Sequence, residues 1–131
     1  MFINAVVAFL IYFLAGGLAM VLFTALYLRI TEHDEIALIR GGNLAAAIAL
    51  CGSMAGFAIP LARTITQSTG LLEMAAWALV ALVVQILVYL LARFVFRDIS
   101  TRIANGEMSG AVFLATVSII AGLINSASMT L

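Results

Sequence analysis

The sequence predicts an all-α membrane protein with four transmembrane helices, and three observations lead to this fold class. The 131 residues are 66% hydrophobic and only 9% charged, with a mean hydropathy of +1.26. Soluble domains have about a quarter charged residues, so this chain lacks the polar surface that such a domain needs. Four uncharged stretches reach the ~20 residues that a helix needs to cross the hydrocarbon core. The sequence has no series of short alternating segments, which a membrane β-barrel would show.

The four predicted spans are Phe2–Leu28, Gly41–Ala62, Met74–Ala92 and Met108–Leu131. Each is expected to be a helix, because backbone polar groups in lipid must be hydrogen-bonded within their own segment. The first span follows no basic segment and is longer than the apolar core of a signal peptide, so it is expected to be retained. The connectors are short, and residues 1–131 are therefore expected to form a single transmembrane domain.

The two halves of the chain resemble each other at an offset of 64 residues. Among the pairs that coincide at this offset are Arg29 with Arg93, Asp34 with Asp98, and Gly42 with Gly106. Coincident charged and glycine residues in so apolar a chain indicate a duplication, with repeat one at about 1–64 and repeat two at about 65–131. Each repeat holds two helices, so the repeats are expected to be parallel, related by an axis along the membrane normal.

The arginines predict the orientation in the membrane. The connectors Arg29–Arg40 and Arg93–Glu107 lie on the same side and carry every arginine except Arg63. By the positive-inside rule these connectors face the cytoplasm and both termini face the periplasm. A cytoplasmic protein partner is expected to bind there. The formal net charge is zero, which gives no electrostatic basis for binding nucleic acid.

Small residues predict which helices pack most closely. The second span contains Gly52 and Gly56 in a G-x-x-x-G pattern, and the fourth has Ser118 and Gly122 at the same spacing. Small side chains let helix backbones approach, which is a main source of attraction between helices in lipid. We therefore expect the second and fourth spans at the centre of the bundle. We also expect a homo-oligomer, with Gly52 and Gly56 contacting a second chain.

Taken together, these segments resemble the YjfL-type bacterial inner-membrane proteins (domain of unknown function 350). The resemblance rests on Thr31, His33, Glu35, Leu38 and Ile39, on Asn43, Ala45, Ala46, Gly52, Gly56 and Ile59-Pro60-Leu61, on Trp77, Gln85 and Arg93, and on Gly122, Asn125, Ala127, Met129 and Thr130. Members often have a proline after the threonine, where this chain has Glu32. The resemblance implies two copies of a two-helix unit and a setting of membrane stress or remodelling, and no activity is established for the family.

Uncharged polar residues within the spans are candidates for helix contacts or for a pathway. Gln85 lies near the middle of the third span, and Asn125 and Ser126 lie near the outer end of the fourth. Buried amides usually join helices, and for Gln85 the expected partners are Ser118, Asn125 or Gln85 of another chain.

Two further polar residues stand at helix starts. Asn43 and Glu107 each follow a glycine at the start of a helix, where capping of backbone N–H groups is expected and a ligand site is the alternative.

The densest polar cluster includes His33, Asp34 and Glu35 in the first connector. These residues are weak candidates for a metal site, with a solvated turn as the favoured interpretation. The single cysteine, Cys51, is expected to be a packed thiol. The sole histidine lies in a connector and the spans carry no carboxylate, so we expect neither an enzyme nor a cofactor. The favoured function is structural or accessory, and the alternative is a small channel or transporter for an ion or small solute.

The predicted orientation has a direct test. A C-terminal fusion to a reporter that is active only in the periplasm should be active, because the arginine-bearing connectors are expected in the cytoplasm. A C-terminal reporter that fluoresces only in the cytoplasm should be dark. The opposite pattern of activity would place the His33 cluster outside the cell and contradict this topology.

Overall fold

Four helices of the computed structural model are long and apolar enough to cross a membrane. The structure describes residues 1–31 and 34–130. The helices in these ranges are α1 Phe2–Ile30, α2 Glu35–Arg40, α3 Leu44–Gln67, α4 Leu71–Val95, α5 Ile99–Ala104 and α6 Met108–Ser128. The spans are α1, α3, α4 and α6, so the predicted all-α fold with four transmembrane helices is confirmed.

The ends of the spans differ from the predicted ones at charged residues. The second predicted span stops at Ala62, whereas α3 continues through Arg63 to Gln67. Likewise, α4 begins at Leu71 and includes Glu73 in its first turn. A charged side chain at a membrane boundary does not interrupt the backbone hydrogen bonds of a helix, and it reaches outward to polar surroundings. These two helices therefore extend beyond the uncharged stretches at these ends. In contrast, α3 begins at Leu44 rather than at Gly41, and α6 ends at Ser128 rather than at Leu131.

The short helices α2 and α5 were not predicted. Each follows an aspartate at its N-cap position, Asp34 or Asp98, and each is followed by a turn with a left-handed glycine. These glycines are Gly42, with a φ of +88°, and Gly106, with a φ of +79°. Side chains with a Cβ rarely adopt such angles, so both turns require glycine. The same turn thus occurs at both positions of the predicted offset, while the duplication itself stays a prediction.

The core of the bundle is the contact between α3 and α6. α3 is the most buried of the four spans and α1 the least. A Cβ atom built on Gly52 would overlap Ala115, one on Gly56 would overlap the Ser118 carbonyl oxygen, and one on Gly122 would overlap the backbone of Gly56. The two backbones therefore touch along this seam, and Gly52 and Gly56 are occupied within one chain. The sequence led us to expect Gly52 and Gly56 to contact a second chain, but both glycines lie against α6 of the same chain.

The first helix packs against the bundle through its C-terminal half. In α1 the buried residues are Gly16, Phe23 and Tyr27. The Phe23 ring stacks on Phe57 of α3 with ring centroids 4.7 Å apart, and Tyr27 meets Tyr89 of α4 edge to face at 5.2 Å. These aromatic contacts hold one end of α1, while most of its remaining surface is exposed.

A glycine-to-alanine substitution should cost more stability inside the α3–α6 seam than outside it. Gly122→Ala should destabilise the solubilised protein by about 1–3 kcal/mol, because the added methyl group pushes α6 away from the α3 backbone. Gly17→Ala is the matched control, since a Cβ on Gly17 meets no atom within 4 Å. Thermal unfolding of both variants in one detergent measures the difference. Equal unfolding temperatures for the two variants would contradict a tight α3–α6 seam.

Candidate functional site

Gln85 of α4 lies where α3, α4 and α6 meet, and its side chain is only 2% exposed. Its Nε2 group donates hydrogen bonds to the carbonyl oxygens of Gly56 and Ser118, both at 3.2 Å. A primary amide has two N–H groups, so these two bonds use its full donor capacity. Gln85 therefore connects α4 to both central helices through their backbones. Ser118 was among its expected partners, whereas Gly56 was not.

Pro60 explains why the Gly56 carbonyl is available to Gln85. In an α-helix this carbonyl accepts a hydrogen bond from the N–H of the residue four positions later. That residue is Pro60, which lies inside α3 and has no N–H. An unsatisfied carbonyl in the hydrocarbon region costs several kcal/mol, and the Gln85 amide provides the missing donor. The sequence contained this signal, because a proline four residues after a glycine within a span leaves one carbonyl unpaired.

A second buried polar site lies at the end of the bundle that carries the arginine-bearing connectors, called here the arginine-bearing end. Each of its side chains comes from a different helix, from α1 to α5, and each is no more than 5% exposed. We call this site the hydroxyl–carboxyl cluster, and its members are Tyr27, Glu35, Ser53, Tyr89 and Ser100. Four hydroxyl groups and one carboxyl group are thus gathered out of contact with solvent.

The hydroxyl groups of the cluster differ in their hydrogen bonding. Tyr89 and Ser100 share a hydrogen bond, with their oxygens 3.4 Å apart. The Tyr27 hydroxyl lies beside the Ser53 hydroxyl and within electrostatic reach of the Glu35 carboxyl. Neither the Tyr27 nor the Ser53 oxygen completes a hydrogen bond with a described residue. Burying polar atoms is costly, so the cluster adds polarity to a contact of α1 that is otherwise apolar.

The position of Glu35 corrects the view of the first connector as a solvated turn. Glu35 is 1% exposed and lies in the first turn of α2. Asp34 is exposed, and its carboxylate accepts a hydrogen bond from the N–H of Ala37 at 3.2 Å. The third candidate, His33, lies outside the described residues. In the described ranges no three His, Cys, Asp or Glu side chains come together as a metal site. The short helix α2 separates the two carboxylates, because it directs Glu35 into the bundle and leaves Asp34 exposed.

Asn43 connects the two halves of the arginine-bearing end. Its Oδ1 atom caps α3 by accepting a hydrogen bond from the Ala46 N–H at 3.0 Å. Its Nδ2 group donates to the carbonyl oxygens of Ile103 and Ala104 at the end of α5, both at 3.1 Å. One side chain thus satisfies backbone groups at the start of one helix and at the end of another. Glu107 occupies the corresponding N-cap position of α6, but its side chain makes no capping bond.

The exposed surface around Asn43 is polar and carries several charges. We call the surface formed by residues 34–43 and 97–107 the connector face. Arg40, Arg97 and Arg102 are exposed on it. Arg102 forms an ion pair with Asp98 at 2.8 Å, and the hydrogen bond from Arg102 lowers the pKa of the Asp98 carboxyl below its usual range. The exposed carboxylates of Asp34 and Glu107 balance Arg40 and Arg97, so the face carries charges of both signs.

The remaining candidate residues lie towards the opposite, outer end. Asn125 and Ser126 are half-buried on α6. The Nδ2 group of Asn125 has no hydrogen-bond partner among the described residues. Nearby in sequence, the Met129 carbonyl accepts a hydrogen bond from Arg63 at 3.3 Å. The structure does not bring Asn125 to Gln85, whose amide hydrogens are both used elsewhere. Cys51, expected to be a packed thiol, is exposed on α3, which corrects that expectation.

Comparison with known proteins agrees with this architecture. The family model described as Domain of Unknown Function (DUF350) matches residues 1–129. The chain belongs to this family. It is 32% identical to the UPF0719 inner membrane protein YjfL of Escherichia coli K12 over 128 residues, which cover 98% of this chain and 97% of the relative. It is 30% identical to the UPF0719 transmembrane protein YshE of Bacillus subtilis 168 over 91 residues, or 70% of this chain and 68% of the relative. No solved structure matches the chain.

The predicted membership of the YjfL-type family is therefore confirmed, and the chain is an integral membrane protein. The relatives' names state their location and no activity. The functional argument consequently rests on the two buried polar sites and the connector face of this chain.

The relation between Gln85 and Pro60 can be tested by a double-mutant cycle. Gln85→Leu should destabilise the solubilised protein by about 1–2 kcal/mol, because it removes two interhelical hydrogen bonds. In a Pro60→Ala background the same change should cost clearly less, because the N–H of residue 60 then satisfies the Gly56 carbonyl within α3.

Gln67→Leu at the exposed end of α3 is the control for a general effect of losing an amide, and its cost should be the same in both backgrounds. Unfolding followed by circular dichroism provides all the required free energies. An equal cost of Gln85→Leu in the two backgrounds would show that the amide does not act on the carbonyl freed by Pro60.

Proposed function

We propose that this protein is a structural or accessory component of the bacterial inner membrane that binds a cytoplasmic protein through its connector face. The proposed orientation places this face in the cytoplasm and both termini in the periplasm, because all but one of the arginines lie at this end. The proposal concerns a role in assembly and recruitment, and it assigns no chemical reaction to the chain.

The observation that carries the proposal is the pair of hydrogen bonds from Asn43 to the end of α5. These bonds hold the α2–α3 turn against the α5–α6 turn, so the two connectors form one continuous surface. A surface that is already ordered loses little conformational entropy when a partner binds. An open groove runs between the two turns and is lined by Leu38, Gly42, Asn43 and Asn105, among others. Such a surface is better suited to recognising a protein than two separate loops are.

The charge of the connector face indicates the chemistry of the partner. Arg40 and Arg97 are exposed, and in the described part of the chain neither belongs to an ion pair. Complementary charge accelerates association and favours one partner over others. Exposed Asp34 and Glu107 lie on the same face. We therefore propose a partner that presents charges of both signs, with carboxylates opposite Arg40 and Arg97.

We also propose that the protein self-associates through α1 rather than through the glycines of α3. Gly52 and Gly56 are already in contact with α6, whereas α1 has little buried surface within the chain. Phe9 and Phe13 stack on each other on the exposed part of α1, with ring centroids 5.5 Å apart. A second copy packing here would cover α1 while leaving the connector face accessible.

Site-specific crosslinking in cells tests the docking role. A photoreactive amino acid at Arg40 or at Asn105 should crosslink to one cytoplasmic protein, because both positions are exposed on the connector face. Matched control positions are Thr66 and Thr69, which are exposed at the outer end. With the probe at Asn105, the charge reversal Arg40→Glu together with Arg97→Glu should lower the crosslinking yield at least fivefold. The corresponding lysine substitutions should preserve most of the yield.

Two results would contradict the docking role. One is the same set of crosslinked proteins from the connector face and from the outer end. The other is ion or solute flux through purified protein in liposomes that is abolished by Gln85→Leu, which would favour the channel alternative. Retained assembly with no flux, together with a specific cytoplasmic crosslink, agrees with the accessory role.

A further inference from the structure

A groove at the arginine-bearing end combines an apolar floor with a charged rim. We call it the α5–α6 groove, because it lies between α5 and the start of α6, and its volume is about 260 Å³. Its lining residues are Phe96, Ile99, Arg102, Ser109, Gly110 and Phe113. The Phe96 and Phe113 rings meet edge to face, with centroids 4.8 Å apart, and form one apolar wall. We propose that this groove binds a phospholipid whose zwitterionic headgroup carries a phosphate and an ammonium group.

The α5–α6 groove lies where two spans reach the membrane surface. α4 ends at Val95 and α6 begins at Met108, so the groove opens at the boundary between the hydrocarbon core and the headgroups. Next to its aromatic residues in the chain, Phe94, Val95 and Val112 are exposed, and such apolar surface marks contact with lipid. Ligand pockets begin at roughly 300 Å³, so the groove holds the first part of one acyl chain rather than a whole molecule. The headgroup of that lipid then lies at the rim.

Arg102 supplies the group that recognises the phosphate. Its Nε atom donates a hydrogen bond to the Asp98 carboxylate at 2.8 Å, which fixes the guanidinium at the rim and leaves the Nη groups to donate to a phosphate oxygen. Arginine suits this task because its planar guanidinium matches the oxygens of a phosphate. The Ser109 side chain lines the same groove and adds a hydroxyl donor beside the headgroup.

The carboxylates at the rim determine which headgroup matches. Asp98 is exposed and bonded to Arg102. The N–H of Glu107 donates to the Arg102 carbonyl at 2.9 Å, and the exposed Glu107 side chain makes no capping bond, so its carboxylate can accept from an ammonium group. With Arg97, which is exposed beside Phe96, the rim carries charges of both signs in equal number. A headgroup with both a phosphate and an ammonium group complements this rim, whereas one with net negative charge faces two carboxylates.

Gly110 keeps the floor of the groove open. A Cβ atom at this position would lie 3.7 Å from the Arg102 Cβ atom and from the Ile99 Cγ1 atom, which is ordinary van der Waals contact. Alanine therefore fits here without moving its neighbours, whereas a longer apolar side chain would occupy the space of the acyl chain. The inference does not depend on the proposed docking role, because it concerns lipid binding by the purified chain.

The experiment measures binding of single lipids to the detergent-solubilised protein by native mass spectrometry. Phosphatidylethanolamine, which is zwitterionic, and phosphatidylglycerol, which is anionic, are titrated separately with the same acyl chains. We expect the first phosphatidylethanolamine to bind about threefold more tightly than the first phosphatidylglycerol. Gly110→Leu should weaken binding of that phosphatidylethanolamine about fivefold, because it removes the contact of the acyl chain. Arg102→Gln together with Glu107→Gln should abolish the preference between the two lipids.

Matched controls separate loss of the site from general effects. Gly110→Ala should bind phosphatidylethanolamine nearly as the unchanged protein does, since its methyl group meets only ordinary contacts. Gly17→Leu adds the same side chain on α1, where a Cβ meets no atom within 4 Å, and should keep the lipid preference. Arg40→Gln together with Glu73→Gln removes one charge of each sign away from the groove and should keep it as well. If Gly110→Leu does not fold, the exposed pair Arg102→Gln and Glu107→Gln still decides the matter.

Three outcomes would overturn the inference. The first is equal binding of the two lipids to the unchanged protein, which would mean that lipid contacts the chain without recognition of its headgroup. The second is a preference for phosphatidylglycerol that depends on Arg102, which would identify an anionic lipid as the ligand instead. The third is an unchanged preference for phosphatidylethanolamine in the Arg102→Gln and Glu107→Gln variant or in a folded Gly110→Leu variant, which would place its binding site elsewhere on the bundle.

Discussion

The hydrocarbon core contains no water, so the carbonyl oxygen of Gly56 needs a hydrogen-bond donor from elsewhere in the bundle. Pro60 removes the donor within α3, and Gln85 replaces it from α4 while also bonding to Ser118 of α6. Because one amide serves both central helices, it fixes the rotation of α4 about its axis and its height in the bundle. The glycine seam, in which Gly122 touches Gly56, brings the two carbonyls close enough for a single amide to reach both.

From this central contact, the rotation of α4 determines what is buried at the arginine-bearing end. Tyr89 follows Gln85 by four residues, so both side chains lie on the same face of α4. With Gln85 held between α3 and α6, Tyr89 is directed to Tyr27 and Ser100. The hydroxyl–carboxyl cluster therefore depends on the packing at the centre, although its members come from separate helices. At the same end, Asn43 joins the two connectors through backbone carbonyls and completes the connector face.

The sequence was sufficient for properties that depend on composition and spacing, and insufficient for those that depend on which face of a short helix is buried. Hydropathy predicted the four spans, and small residues predicted the close approach of α3 and α6. The partner of Gln85 was only partly predicted, because the candidates were side chains whereas the acceptors are backbone carbonyls. Glu35 was assigned to a solvated turn because a charged connector resembles one. Its burial follows from α2, a six-residue helix with too few residues to show a periodic pattern.

The two buried polar sites differ in which groups are satisfied. Both amide hydrogens of Gln85 are used, whereas its Oε1 atom, like the Tyr27 and Ser53 hydroxyl oxygens, has no hydrogen-bond partner among the described residues. The Gln85 donors are fully used by the protein's own backbone, so this residue contributes specificity to helix packing. At the cluster, two hydroxyl oxygens are buried without a hydrogen bond to a described residue. A purely apolar packing of α1 against α3 would avoid that cost, as the stacked Phe23 and Phe57 rings do nearby. The centre of the bundle holds the helices together, whereas at the cluster the packing of α1 against α3 carries the cost of two buried hydroxyl groups.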